Sequence, residues 1–193
     1  MKGMFIMQKA FAFLVDAAQT IIIAACIFLV TYVFLFRPYQ VSGASMSPTF
    51  EDKEYILTSI ISLRVEDLKR GDVLVFQAPN QEKEQYKKDF IKRIIGVPGD
   101  TVFLKDGQVY VNGKKLDESA YLPKETKTYG ASFMKEGEPV TVPADSFLVF
   151  GDNRPFSSDS REWGFIKKSD IVGKSFFVYL PVDKMQFVRN PFN

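Results

Sequence analysis

The sequence predicts an antiparallel all-β domain carried behind a single N-terminal transmembrane helix. Three observations predict it. From Ala17 to Phe36 the chain (AAQTIIIAACIFLVTYVFLF) runs without a charged residue, and a helix of that length spans about 30 Å, the hydrocarbon thickness of a bilayer. After Phe36 the apolar residues gather in short β-branched and aromatic runs bounded by turn residues. No long amphipathic helix follows the anchor.

In chain order, residues 1–16 form a cytoplasmic or interfacial segment, in which residues 4–15 extend the helix along the membrane surface and Lys9 snorkels. Residues 17–36 span the membrane, since only Gln19, Thr20 and Thr31 interrupt the apolar run and a soluble helix would show a polar stripe. A cleaved leader is disfavoured: the apolar run exceeds a usual leader core, and Arg37 to Gln40 separate it from the small residues Ser42-Gly43-Ala44. Lys2, Lys9 and the N-terminal amine, against Arg37 and Lys53, tilt the orientation toward an inside N-terminus. Residues 37–193 are the extracytoplasmic β-rich domain. Its strands are read at Asp72–Phe76, Phe90–Ile95, Ser146–Phe150 and Phe176–Leu180, the last stopped by Pro181. Thr101–Leu116 reads as a three-stranded meander, because Asp106-Gly107 and Asn112-Gly113 are two-residue hairpin turns. Ser62–Lys69 is a short helix, Asn80–Asp89 a solvated charged loop, and residues 117–145, with Pro123, Pro139 and Pro143, an irregular insertion beside the core.

Composition removes whole classes of function. With 25 basic and 23 acidic residues the net charge is +2, too small to argue for nucleic acid. There is no histidine, which excludes Ser-His-Asp and Cys-His catalysis and imidazole metal sites. Cys26 is the sole cysteine, so no intrachain disulfide informs the compartment.

Three segments carry chemistry. Ser42-Gly-Ala-Ser-Met-Ser-Pro-Thr49 directly follows the anchor; its small residues let a substrate backbone approach a serine, and Gly43 permits a backbone that aims an N–H at a developing oxyanion. Taken alone it is an ordinary Ser/Gly/Pro loop. Phe90-Ile-Lys-Arg-Ile-Ile-Gly-Val-Pro-Gly-Asp100 sets two cations in an apolar strand, with Lys92 on the face of Phe90 and Ile94 and Arg93 on that of Ile91 and Ile95. Alternation does not say which cation is pressed against apolar neighbours, and a solvated edge strand fits the pattern equally. Only lysine, however, can lose a proton usefully. Neutrality at pH 7 requires its pKa to fall from about 10.4, roughly 4.6 kcal/mol of burial and neighbour effects. Gly151-Asp-Asn-Arg-Pro-Phe-Ser-Ser-Asp-Ser-Arg-Glu-Trp-Gly164 interleaves acids with arginines, the composition of a loop held by charge-assisted hydrogen bonds rather than by calcium.

Together with Arg70-Gly71-Asp72-Val73, and in this order behind an anchor, these segments resemble the sequence boxes of the bacterial type I signal peptidases, membrane-bound serine proteases with a Ser-Lys dyad. The resemblance covers essentially the whole chain. It implies Ser45 as nucleophile, in a Ser-Met-x-Pro pattern, and Lys92 as general base, in Lys-Arg-x-x-Gly. It implies Ser157 as the hydroxyl that orients the lysine, Asp159 and Arg161 as a supporting salt bridge, and Asp152, Asn153 and Arg154 at the strand-loop junction. Some members carry a serine that helps bind the oxyanion where this chain has Gly43, so the oxyanion site is expected to be formed by Ser45 and Gly43, resting on the Ser45 N–H with water or Ser42 as further helpers. The endoplasmic-reticulum relatives use histidine instead of lysine, which this chain lacks. The implied reaction is cleavage of signal peptides from exported precursors after small residues, usually alanine at the first and third positions before the cut, at the outer face of the plasma membrane. No metal or cofactor is implied; the partners are secretory precursors and the lipid bilayer, and the oligomeric state is left open. Self-cleaving repressors share the dyad but are soluble. The alternative from another class is a membrane-anchored β-rich binding or scaffold protein without catalysis, indifferent to loss of Ser45.

Overall fold

The computed structural model describes residues 2–79 and 88–192. The charged loop expected at Asn80–Asp89 lies outside these except for its last two residues. The chain divides into two compact units, Met1–Phe36 and Arg37–Asn193.

The first unit is one helix, α1 (Lys2–Leu35). Its stretch from Lys9 to Val30 is long and apolar enough to cross a membrane, and Phe11, Ile21, Ile22 and Phe28 along it are exposed. That stretch lies further toward the N-terminus than Ala17–Phe36. Met, Ala, Phe and Leu dominate residues 4–15, so the helix propagates through them without a break. Its end is set by Pro38, which disfavours a helical Arg37 and pushes the backbone into an extended form.

The second unit is built from antiparallel ladders. The large sheet has the order β1 (Phe36–Gln40), β2 (Tyr55–Ser59), β11 (Ile171–Leu180), β3 (Val73–Gln77), β4 (Asp89–Gly96), β9 (Ser146–Phe150) and β10 (Ile166–Lys167), with β12 (Gln186–Phe187) added on β11. The small sheet has the order β7 (Lys114–Lys115), β6 (Gln108–Val111), β5 (Thr101–Lys105) and β8 (Val140–Thr141). Asp106, Gly107, Asn112 and Gly113 all have positive φ (54°, 74°, 52° and 78°), the backbone that the two hairpin turns require. The expected Ser62–Lys69 helix closes after one turn, α2 (Ser62–Val65). The stretch from 117 to 145 is irregular except for β8, which pairs with β5.

Register decides what each face of the large sheet packs against. Val73 stands opposite Arg93 and Val75 opposite Ile91, while Leu74 stands opposite Lys92 and Phe76 opposite Phe90. Val73 and Val75 pack with Val41, Met46, Phe50, Ile56 and Val178, which seats the Ser42–Thr49 segment on that face. Leu74 and Phe76 pack with Ile94, Phe147, Val149, Ile166 and Ile171. β9 pairs with β4 only from Arg93 to Gly96. Lys92 is therefore the first residue of β4 beyond the end of β9, beside an edge left open among the described residues.

Candidate active site

Both cations of β4 are buried, Lys92 with 4% and Arg93 with 1% of its surface exposed. Their fates differ because their partners differ. Arg93 is a paired charge: Nε donates to Asp152 Oδ1 at 2.9 Å and Nη2 to Asp152 Oδ2 at 2.7 Å, while Nη1 donates to the Gly71 carbonyl at 2.8 Å. Its guanidinium also lies 4.3 Å from the centre of the Tyr121 ring. Among the described residues Lys92 has no carboxylate in contact. Its Nζ lies 2.8 Å from Ser45 Oγ and donates to the Ile91 carbonyl at 2.9 Å, with the Phe90 ring centre 5.3 Å away. Ile94 spends its N–H and C=O on Asp72 and Gly71 at the β3 side, so alternation turns the Ile91 carbonyl to the open edge, where it meets Nζ. Burial lowers the Lys92 pKa to about 8, against the opposing pull of the Asp159 and Asp152 charges.

The serine loop is clasped from the third segment. Asn153 N–H donates to the Ser45 carbonyl at 3.0 Å, and Asn153 Nδ2 donates to the Ala44 carbonyl at 3.0 Å. Thr49, which no sequence signal singled out, donates from Oγ1 to Asp152 Oδ2 at 2.5 Å and accepts from Arg93 Nη2 at 3.2 Å. Gly43 departs from expectation as an oxyanion donor. Its positive φ of 88° makes it a turn residue, and its N–H donates to Asp52 Oδ1 at 2.7 Å, so that amide is already engaged. The Ser45 N–H has no acceptor among the described residues.

Asp159 is fully buried and bridges Arg161 by both oxygens, with Nε–Oδ1 and Nη2–Oδ2 each 2.8 Å. It also caps α3 (Ser160–Trp163) and accepts from the Gly151 N–H at 2.9 Å. The Ser157 hydroxyl does not bond Lys92. It is buried without a hydrogen-bond partner among the described residues, pressed against Gly151 beside the Ser45 carbonyl, and Lys92 Nζ donates instead to the Ile91 carbonyl. Ser45 and Lys92 together line a cavity of about 240 Å³ whose walls include Tyr39, Ser42, Ile56, Val75, Asp89 and Ile91.

A family model described as "Signal peptidase, peptidase S26" matches residues 14–180. The chain belongs to this family. It is 42% identical over 174 residues to the signal peptidase I of Bacillus amyloliquefaciens, covering 89% of this chain and 90% of that one. Identity to the signal peptidase I of Bacillus licheniformis is 39% over 177 residues, covering 90% and 92%. To signal peptidase IB of Staphylococcus aureus (strain MRSA252) it is 36% over 192 residues, covering 92% and 97%.

In this chain the stretch from 117 to 145 supplies partners that its irregular sequence concealed. Glu118 pairs with the Arg154 guanidinium, Thr128 Oγ1 accepts from Arg154 Nη1 at 2.5 Å, and the Tyr121 hydroxyl donates to Glu118. The Arg70–Val73 box is a brace: Asp72 accepts from Lys69 N–H and Asn190 Nδ2, both at 2.9 Å, and pairs with Lys174 at 3.0 Å. Gly151 shows how closely these pieces approach, since a Cβ there would overlap both Ser157 Oγ and the Ser45 carbonyl. Gly151→Ala is therefore expected to displace the serine loop, lowering kcat more than about tenfold and stability by roughly 1–3 kcal/mol. Turnover and thermal unfolding of the variant check this.

Proposed function

We propose that the chain is a serine endopeptidase that removes N-terminal signal peptides from secretory precursors, with Ser45 as nucleophile and Lys92 as general base. The observation that carries the reading is the 2.8 Å approach of Ser45 Oγ to the Nζ of a buried lysine that no carboxylate touches among the described residues. A lysine with a pKa of about 8 is neutral in about a tenth of molecules at pH 7. In that form its lone pair accepts the Ser45 proton as Oγ attacks the scissile carbonyl. The same proton then passes to the leaving amine, and a water activated by Lys92 releases the acyl group. The small cavity, walled by Ile56, Val75 and Ile91, supports the preference for small side chains next to the cut that family resemblance implies. The edge of β4 left open among the described residues offers main-chain groups to an extended substrate.

The helix window from Lys9 to Val30 supports membrane anchoring; the anchor then lies in the plasma membrane with the N-terminus cytoplasmic, as Lys2 and Lys9 before it favour, and the large unit outside, where a precursor held by its own apolar segment presents its cleavage point. Protease added to intact spheroplasts should digest the large unit; protection until lysis would reverse the orientation. The deciding experiment incubates the purified full chain in detergent with a secretory precursor. Wild type should cut it at one bond, and Ser45→Ala should lower turnover by about 10⁴-fold or more. A Ser45→Ala protein that cuts at the wild-type rate would return the chain to the binding or scaffold class.

A further inference from the structure

The nucleophile's own backbone presents an unpartnered donor, and one side chain sets its direction. The Ala44–Ser45 peptide is trans and close to planar, so its C=O and N–H point in opposite directions. The carbonyl is held twice, by Asn153 Nδ2 at 3.0 Å and by the Ser47 N–H at 3.1 Å. The next carbonyl, that of Ser45, receives the Asn153 main-chain N–H at 3.0 Å. Asn153 thus grips the peptide on each side of the nucleophile. On the opposite side of the first peptide the Ser45 N–H meets no acceptor among the described residues, whereas the nearby Gly43 N–H is taken by Asp52.

Resting on the reading of Ser45 as nucleophile, we propose that Asn153 is the positioning residue of the oxyanion site. Its side-chain amide fixes the plane of the Ala44–Ser45 peptide so that the Ser45 N–H faces the oxygen that gains charge during attack. As Oγ bonds to the scissile carbon, the carbonyl π pair moves onto oxygen, the Ser45 proton moves to Lys92 Nζ, and the N–H receives the new oxyanion. When the intermediate collapses the pair returns, the C–N bond breaks and Nζ gives its proton to the amine. Donation to the Ala44 carbonyl also polarises the peptide and strengthens its N–H as a donor. Such a residue contributes to the tetrahedral state and not to substrate binding, because a neutral carbonyl gains little from the same donor.

The test uses the full chain in detergent with Asn153→Ala and with Asn153→Asp, which keeps the shape and removes the donor. The probes are a precursor substrate, a short peptide aldehyde ending in alanine, which forms a hemiacetal with the serine, and the matching peptide amide. Both variants should lose about tenfold to a hundredfold in kcat with KM held within about twofold. Aldehyde affinity should fall by the same factor while amide affinity holds, and Asn153→Ala should keep the wild-type inflection of its pH–rate profile because Lys92 is untouched. Wild-type kcat and aldehyde affinity in both variants, or equal weakening of aldehyde and amide, would overturn the assignment. The two levels separate cleanly. Active Ser45→Ala removes the nucleophile reading itself, whereas inactive Ser45→Ala beside fully active Asn153 variants removes only the role of Asn153.

Discussion

Replacing Lys92 by Met should abolish turnover, by at least about 10³-fold, and yet make the protein more stable below pH 8. The two effects share one cause. The folded pKa of about 8 lies below the reference value of 10.5, so between those pH values the unfolded chain holds a proton that the folded chain has lost, and stability rises with pH. Below pH 8 both states are charged and the folded state bears the whole penalty of a buried ammonium, about 3 kcal/mol. The penalty fades as pH climbs from 8 toward 10.5. Methionine fills a similar volume without charge, so after loss of the bonds to Ser45 and Ile91 a net gain of roughly 2 kcal/mol should remain. That gain should be flat from pH 6 to 8 and shrink above it. Trp163 is the single tryptophan and is half-buried against the core of the large unit, its ring centre 6.0 Å from that of Phe76, so its fluorescence in denaturant reads this equilibrium. Wild-type kcat/KM should rise about tenfold per pH unit up to pH 8 and then level. Equal stability of the two proteins at every pH, or a Lys92→Met protein that still cleaves, would remove the buried base.

What was legible in the sequence was whatever a local run or turn encodes. Ser146–Phe150 is five consecutive buried residues, and the two hairpins of the meander announce themselves by residues that tolerate positive φ. The first five residues of β11 escaped because the β-branched pair Ile171 and Val172 is cut short by Gly173, Lys174 and Ser175, which carry no strand signal. Gly173 stands there because the Ser59 backbone and Thr58 leave no room for a Cβ, and Lys174 is paired with the buried Asp72. The two-residue strands β8 and β10 are too short to carry any periodicity.

The same division runs through the active site. Ser45, Lys92, Asp159 and Arg161 stand in patterns that can be read along the chain. Which of the β4 cations is paired could not be, because both are buried and the difference lies in Asp152, 59 positions away. Glu118 lies 36 positions from Arg154, in a segment whose prolines signal only irregularity. The engagement of Gly43 by Asp52 and the unbonded Ser157 hydroxyl are consequences of loop geometry, which residue types alone do not fix.

Asp159→Ala should be the most damaging single change to the fold, and its milder counterpart Asp159→Asn should betray the connection to Lys92. The carboxylate holds both donor faces of the Arg161 guanidinium, the Arg161 N–H and the Gly151 N–H. Removing it leaves the buried Arg161 cation without a counter-charge, held only by the carbonyls of Tyr129, Arg154 and Ser157, and the buried Gly151 amide without its acceptor, a loss of about 3–5 kcal/mol, or roughly 6–20 °C in melting temperature for a chain of this size. Asparagine keeps the shape and one acceptor oxygen, so its loss should be smaller and enough protein should fold to assay. The charge of Asp159 is the larger of the two that hold the Lys92 pKa up against burial. Removing that charge while keeping the shape should move the pH–rate inflection below the wild-type value near 8, toward acid. Lower melting temperature with an inflection shifted to lower pH is the expected pair of results. An inflection shifted upward would show that Asp159 does not act on the lysine through its charge, and a melting temperature equal to wild type would show that it does not brace the loop.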